Sequence, residues 1–329
     1  MAAYISEDLN NPEKFFQVKI YTGNGGTQTI TYDNTDADLD ADLIWLKSRS
    51  DAYSHQLFDT VRGATKLLNP EATDAEQTLS GVTAFATDTF AIGSDAGTNG
   101  SSKTYVAWCW KESATAGMDI TTFTGNQTAR TISHSLSAKP EWLWIKNREK
   151  VESYHMQHGS LGATSTQESN TNGAFGGGST IWNDTEPTTS VYSVGNNGNI
   201  NETGSDIVVW LWAGKQGYSK FGKYIGNGND NGTFVYTGFK PAFVMQKNSS
   251  ATGSWHIHDN KRSINGTDKY LYPDTNEAEV STTRMDFLSN GFKLRSDSSA
   301  WNNSGDTFVY MAFAESPLVN SKGVPNNAK

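Results

Sequence analysis

Landmarks that recur at one long period constrain this chain more than any other feature. Tyr21-Thr-Gly-Asn24 returns as Phe123-Thr-Gly-Asn126 and again as Tyr224-Ile-Gly-Asn227, 102 and 101 residues apart. Leu43-Ile-Trp-Leu-Lys-Ser-Arg49 returns as Trp142-Leu-Trp-Ile-Lys-Asn-Arg148 and, more loosely, as Phe243-Val-Met-Gln-Lys-Asn-Ser249. Trp108-Cys-Trp110, Trp210-Leu-Trp212 and Met311-Ala-Phe313 keep the same register, as do Phe90, Tyr192 and Phe292. A period near 100 residues is too long for a solenoid or propeller repeat and is the size of a sandwich domain. The expected division is an N-terminal arm, 1–14, three modules, 15–117, 118–217 and 218–319, and a polar tail, 320–329, with the modules strung like beads.

Within a module the pattern is β. The 31 glycines and 12% aromatics suit many short strands joined by many turns. Gln17–Tyr21 and 27–32 alternate around Gly23-Asn-Gly-Gly26, which reads as a tight hairpin with left-handed glycines. Leu43–Leu46 and Trp142–Ile145 are continuous apolar runs, as in strands covered on both faces. Val106, Trp108 and Trp110 share one face by period two, as do Val208, Trp210 and Trp212, and are expected to anchor each module's core between its own two sheets. Only 71–78, after Pro70, hints at a helix, of two turns at most. The fold class is all-β: three tandem antiparallel β-sandwich modules.

The 26 basic against 35 acidic residues give a net charge of −9 with no basic cluster, which argues against nucleic acid or an anionic membrane as partner. No run of eighteen apolar residues suggests membrane insertion, and the first residues carry no secretory pattern. Cys109 lies between tryptophans and reads as a buried, inert thiol. No nucleophile elbow and no phosphate loop is present, so no catalytic residue is assigned and the chain is read as a non-enzyme. Asp36, Asp38 and Asp40 alternate before a strand. They are the residues that would hold calcium if the chain has any cofactor, although an EF-hand would need Gly at Ala41 and Glu at Lys47. Trp255-His-Ile-His-Asp259 puts two imidazoles on one strand face, more in keeping with hydrogen bonding than with zinc. Trp182, Trp255, Tyr272 and Trp301 sit in polar stretches where flat rings would stack on sugars.

The third module carries a signature in Tyr218-Ser-Lys-Phe-Gly-Lys-Tyr-Ile-Gly-Asn-Gly228, Phe234-Val-Tyr-Thr-Gly-Phe-Lys-Pro-Ala-Phe-Val-Met245, Asp286-Phe-Leu-Ser-Asn-Gly-Phe-Lys-Leu-Arg295 and Phe308-Val-Tyr-Met-Ala-Phe-Ala-Glu315. It resembles the repeat module of structural proteins from tailed bacteriophages, chiefly marine ones, strongly over 218–319, more weakly over 118–217 and weakest over 15–117. The resemblance implies a concanavalin- or laminin-G-like (jelly-roll) sandwich and a place on the virion surface, as capsid decoration, head fibre or tail fibre, assembled in the host cytoplasm. The expected partners are other virion proteins, docked through Tyr4, Ile5, Leu9, Phe15 and Phe16. The second reading is an adhesin for host surface glycans; a polysaccharide depolymerase comes last. A homotrimer suits a fibre; alternatively, three fused modules imitate a trimer within one chain.

Overall fold

Each apolar run becomes a strand, and nearly all of them pair antiparallel to a single plan used three times. A computed structural model describes Leu9, residues 11–263 and residues 268–316. The first main sheet orders its strands Phe16–Thr22, Thr104–Trp110, Leu43–Ser48 and Gln56–Asp59. The second runs Met118–Thr124, Asp206–Trp212, Trp142–Asn147, His155–His158, Ser165–Glu168 and Gly176–Gly177. The third follows with Ser219–Ile225, Thr307–Phe313, Phe243–Asn248, His256–Asp259, Lys269–Leu271 and Val280–Ser281. Register repeats along with order: Trp45 lies opposite Trp108, Trp144 opposite Trp210, and Met245 opposite Met311. The chain is all-β; among the described residues the helices are four one-turn α-helices and the short 3-10 turns Pro12–Lys14 and Thr35–Ala37.

Every main sheet is buried on both faces. On one face, Ile44, Leu46 and Cys109 pack against Ile30, Val82 and Phe90 of a smaller sheet. Leu143 and Val209 do the same with Tyr192 and Val194, and Val244 and Phe308 with Val235 and Phe292. The other faces of all three sheets meet in one shared core, which holds Trp45, Trp108, Trp110, Trp142, Trp144, Trp210 and Trp212 together with Phe243, Met245 and Met311. Two expectations change here. The repeats are not separate beads, because a core residue of one repeat touches both others. The paired tryptophans also point away from their own repeat's smaller sheet, into that common centre. Period two identified the shared face correctly but not its partner.

The Gly-Asn landmark is no hairpin either. Phe16–Thr22 pairs with Thr104–Trp110, whereas Gln28–Thr31 pairs with Thr89–Ile92 in the smaller sheet. The landmark is a crossover latched by a buried asparagine. Asn99 accepts from Asn24 N at 2.8 Å and donates to the Gly93 and Gly26 carbonyls. Asn201 and Asn302 repeat this with Asn126 and Asn227. The preceding glycine is required by close approach: a Cβ on Gly125 would lie 2.0 Å from the Glu202 carbonyl oxygen. Residues 71–78 form no helix: a turn at 71–72 leads through irregular backbone into the short strand Gln77–Thr78, and two of the carboxylates are engaged. Glu71 accepts from His55 N, and Glu76 is held by Arg62 and Arg148.

Candidate functional site

The seams between repeats concentrate the buried charge. Trp108 Nε1 donates to Asp259 Oδ2 at 2.9 Å, and Trp210 Nε1 donates to Asp59 Oδ2 at 3.1 Å. Arg262 and Arg62 each close a 2.6 Å ion pair on the same aspartate while lying over the indole that donates to it. At the third seam His158 stands where the aspartates stand, and its Nε2 donates to the Tyr310 carbonyl at 3.2 Å. Burial holds His158 down to about 4, so it is neutral there, with Nδ1 accepting from Ser160 N.

A second tier follows the same rule. Arg49 forks onto Glu279 at 2.9 and 3.0 Å, and Arg148 onto Glu76 at 2.9 and 2.8 Å. In each case the glutamate N–H also donates to the arginine carbonyl. The third seam keeps that backbone bond, from Phe175 N to Ser249 O at 3.2 Å, but replaces the charges by Phe175 against Trp255. The ring closes where Glu315 accepts from Val18 N at 3.0 Å.

Lys47, Lys146 and Lys247 occupy equivalent places, each donating to nearby backbone carbonyls, and burial lowers each to about 8. Glu112 lies beside Asp119 at the join of the first two repeats. Burial first, then the neighbouring Asp119 carboxylate, pushes it up to about 8, so it holds its proton at neutral pH. Both sets brace the assembly from within.

The sequence candidates fall elsewhere than expected. Trp182, Trp255 and Trp301 are 0%, 0% and 2% exposed, so none offers a ring face to a sugar. The indoles fill cores, and beside them His256 and Asn302 are buried as well, held by side-chain hydrogen bonds. Tyr272 is partly buried against His256 and Tyr270. Tyr4 and Ile5 lie outside the described residues. Leu9 and Phe16 are buried in the shared core and Phe15 packs on Tyr218, so these three are not free to dock on another protein. Asp36, Asp38 and Asp40 are exposed while Ala37, Leu39 and Ala41 turn inward. The alternation is that of a half-buried segment, and no three acidic, His or Cys side chains are grouped for a metal among the described residues. His256 and His258 are buried, the first against Trp301 and the second 2.8 Å from Asp268. Cys109 is buried, and desolvation raises its thiol.

One feature escaped the sequence entirely. The second repeat carries a polar cleft of about 420 Å³, bordered by His155, Glu168, Gly176, Gly177, Asn197 and Asn199. His155 is 4% exposed; among the described residues neither ring nitrogen has a protein partner, and both are closed off from solvent, so the ring forms part of the cleft wall.

Residues 11–317 match a family described only as a domain of unknown function (DUF7483), and the chain belongs to that family. No curated protein matches it.

Proposed function

We propose that this DUF7483 protein is a non-enzymatic structural component of a bacteriophage virion surface, as capsid decoration or as part of a head or tail fibre. The observation that carries the reading is the closed ring of three like repeats about one aromatic core. Such a body imitates a trimer within one chain and offers three similar outer faces to a site of threefold symmetry. Each repeat, with its main sheet backed by a smaller one, is read as a jelly-roll or concanavalin-like sandwich. The resemblance of 218–319 to phage repeat modules supplies the setting. The charged groups described above serve the seams, which suits a part built to endure rather than to turn over.

The test is made on purified particles of a phage whose genome encodes the chain. Mass spectrometry and cryo-electron microscopy should find it at a fixed copy number, in density of threefold-like outline on the surface. Its absence from particles that assemble normally would overturn the proposal. The adhesin reading gains support from one observation, the cleft of the second repeat, taken up next.

A further inference from the structure

The cleft exists because one repeat lacks what fills the same place in the others. In the third repeat, His256 is covered by Trp301, Tyr272 and Tyr270, with ring centroids 3.7, 5.2 and 5.7 Å away. Matching the strand registers puts Ile200, Glu168 and Thr166 at those three positions in the second repeat. In the first repeat Gln56 replaces the histidine and donates to Asp95 at 2.8 Å. Gly97 packs so close to Gln56 that a Cβ there would lie 2.3 Å from Nε2. In the second repeat a small hydroxyl and a flexible carboxylate stand in for two tyrosines, leaving a cleft beside His155.

The walls are built from several elements. Gly176–Gly177 is the last strand of its sheet, and a Cβ on either glycine would meet nothing within 4 Å, so a ligand can reach the backbone itself. The loop leading into this strand is pinned from the third repeat, with Lys247 Nζ and Gly253 N donating to Asn172 O. Asn197 Oδ1 accepts from Asn199 N, which fixes the opposite rim. Among the described residues the Asn199 side chain makes no hydrogen bond, and Glu168 uses one carboxylate oxygen, on Ser153. Burial lowers His155 to about 4, so its ring is a neutral part of the cleft wall. Ile181 supplies an apolar patch.

We infer that this cleft binds a small uncharged saccharide, with Asn199, Glu168 and the Gly176–Gly177 backbone reading its hydroxyls. Its volume falls within the roughly 300–1,000 Å³ of small-molecule sites. No cation lines it, which disfavours phosphate or carboxylate ligands, whereas amide, hydroxyl and peptide groups suit a polyol. The site stands apart from the virion assignment and holds or fails without it.

The test titrates the full chain with glucose, galactose, mannose, N-acetylglucosamine, lactose and maltose, using saturation-transfer NMR and calorimetry up to about 10 mM. At least one sugar should bind and shift the His155 imidazole resonances. Asn199→Leu, on the rim, should weaken that binding at least about tenfold. So should the double variant Thr166→Tyr/Glu168→Tyr, which copies the filled third repeat. Melting temperature serves as the folding control, and Asn199→Leu decides alone if the double variant unfolds. Failure of all six sugars to bind, or binding equal in folded variants and parent, would overturn the inference.

Discussion

Trp108 donates its indole N–H to Asp259, a residue 151 positions away in another repeat, and Arg262 neutralises that aspartate from beneath the same ring. Removing the carboxylate would strand a buried guanidinium with its charge uncompensated. Asp259→Ala should therefore destabilise the protein by about 3–5 kcal/mol, whereas the double variant Asp259→Ala/Arg262→Leu should recover much of the loss. Denaturant unfolding of the two variants against the parent measures the difference.

Because the shared core draws on all three repeats, no repeat has a complete apolar interior alone. Residues 118–217 expressed by themselves should expose the faces bearing Trp142, Trp144, Trp210 and Trp212 and fail to give a cooperative melt. The intact chain should unfold in one transition by both near-ultraviolet dichroism and tryptophan emission. Three resolved transitions would show independent domains instead.

The charged-seam architecture also predicts where the ring opens first. The third seam is held by Phe175 on Trp255 and Ser249 and by Lys247 and Gly253 on the Asn172 carbonyl, without the arginine–glutamate forks of the other two. Phe175→Ala should cost about 2–4 kcal/mol, in the range for truncating a partly buried aromatic, and the loss should be insensitive to salt. Glu76→Gln should cost less at high salt than at low salt, because the fork it breaks is partly exposed. Hydrogen exchange of the Phe175 amide should be faster than that of the Glu76 and Glu279 amides.

The pH dependence is set by opposing groups. Burial holds His155 and His158 down to about 4, so between about pH 4 and 6.5 the unfolded chain binds protons that the folded one refuses, and these groups make stability rise with pH. Burial, then the Asp119 carboxylate, pushes Glu112 up to about 8, so between about pH 4.5 and 8 the folded state keeps a proton there that the unfolded one has lost, and this group makes stability fall as pH rises. Glu112→Gln stays neutral throughout, and the histidines are common to variant and parent. The melting temperature of Glu112→Gln should therefore climb relative to the parent from about pH 5 to 8 and level off above it, and a difference that does not change with pH would contradict the assignment.

Much of the architecture is legible in the residues themselves. Period two and the hundred-residue spacing identify the strands, their class and even their threefold register. What they leave open is which partner an apolar face meets. Trp108 and Trp110 share a face whether that face turns to a sheet of their own repeat or to two other repeats, and only three-dimensional closure decides. The Gly-Asn landmark misleads because a glycine chosen for close approach to a carbonyl looks the same as one chosen for a left-handed turn. Trp182, Trp255 and Trp301 mislead because polar residues around a ring suggest an exposed loop, whereas His256 and Asn302 are buried with their tryptophans and satisfied by hydrogen bonds. The cleft is the hardest to foresee: it is made by Thr166 and Glu168 where another repeat has tyrosines, and low identity between copies hides that correspondence until the strand pairing is known.

The odd third seam has a consequence for assembly. A body whose three faces are alike but not identical, set on a site that is truly threefold, fits in three rotational settings of nearly equal energy. The cleft of the second repeat would then face a different direction from site to site, and symmetry-averaged images would blur it into a third of its occupancy. Only reconstruction of individual sites without imposed symmetry would restore that cleft and the seam beside it that lacks an arginine–glutamate fork.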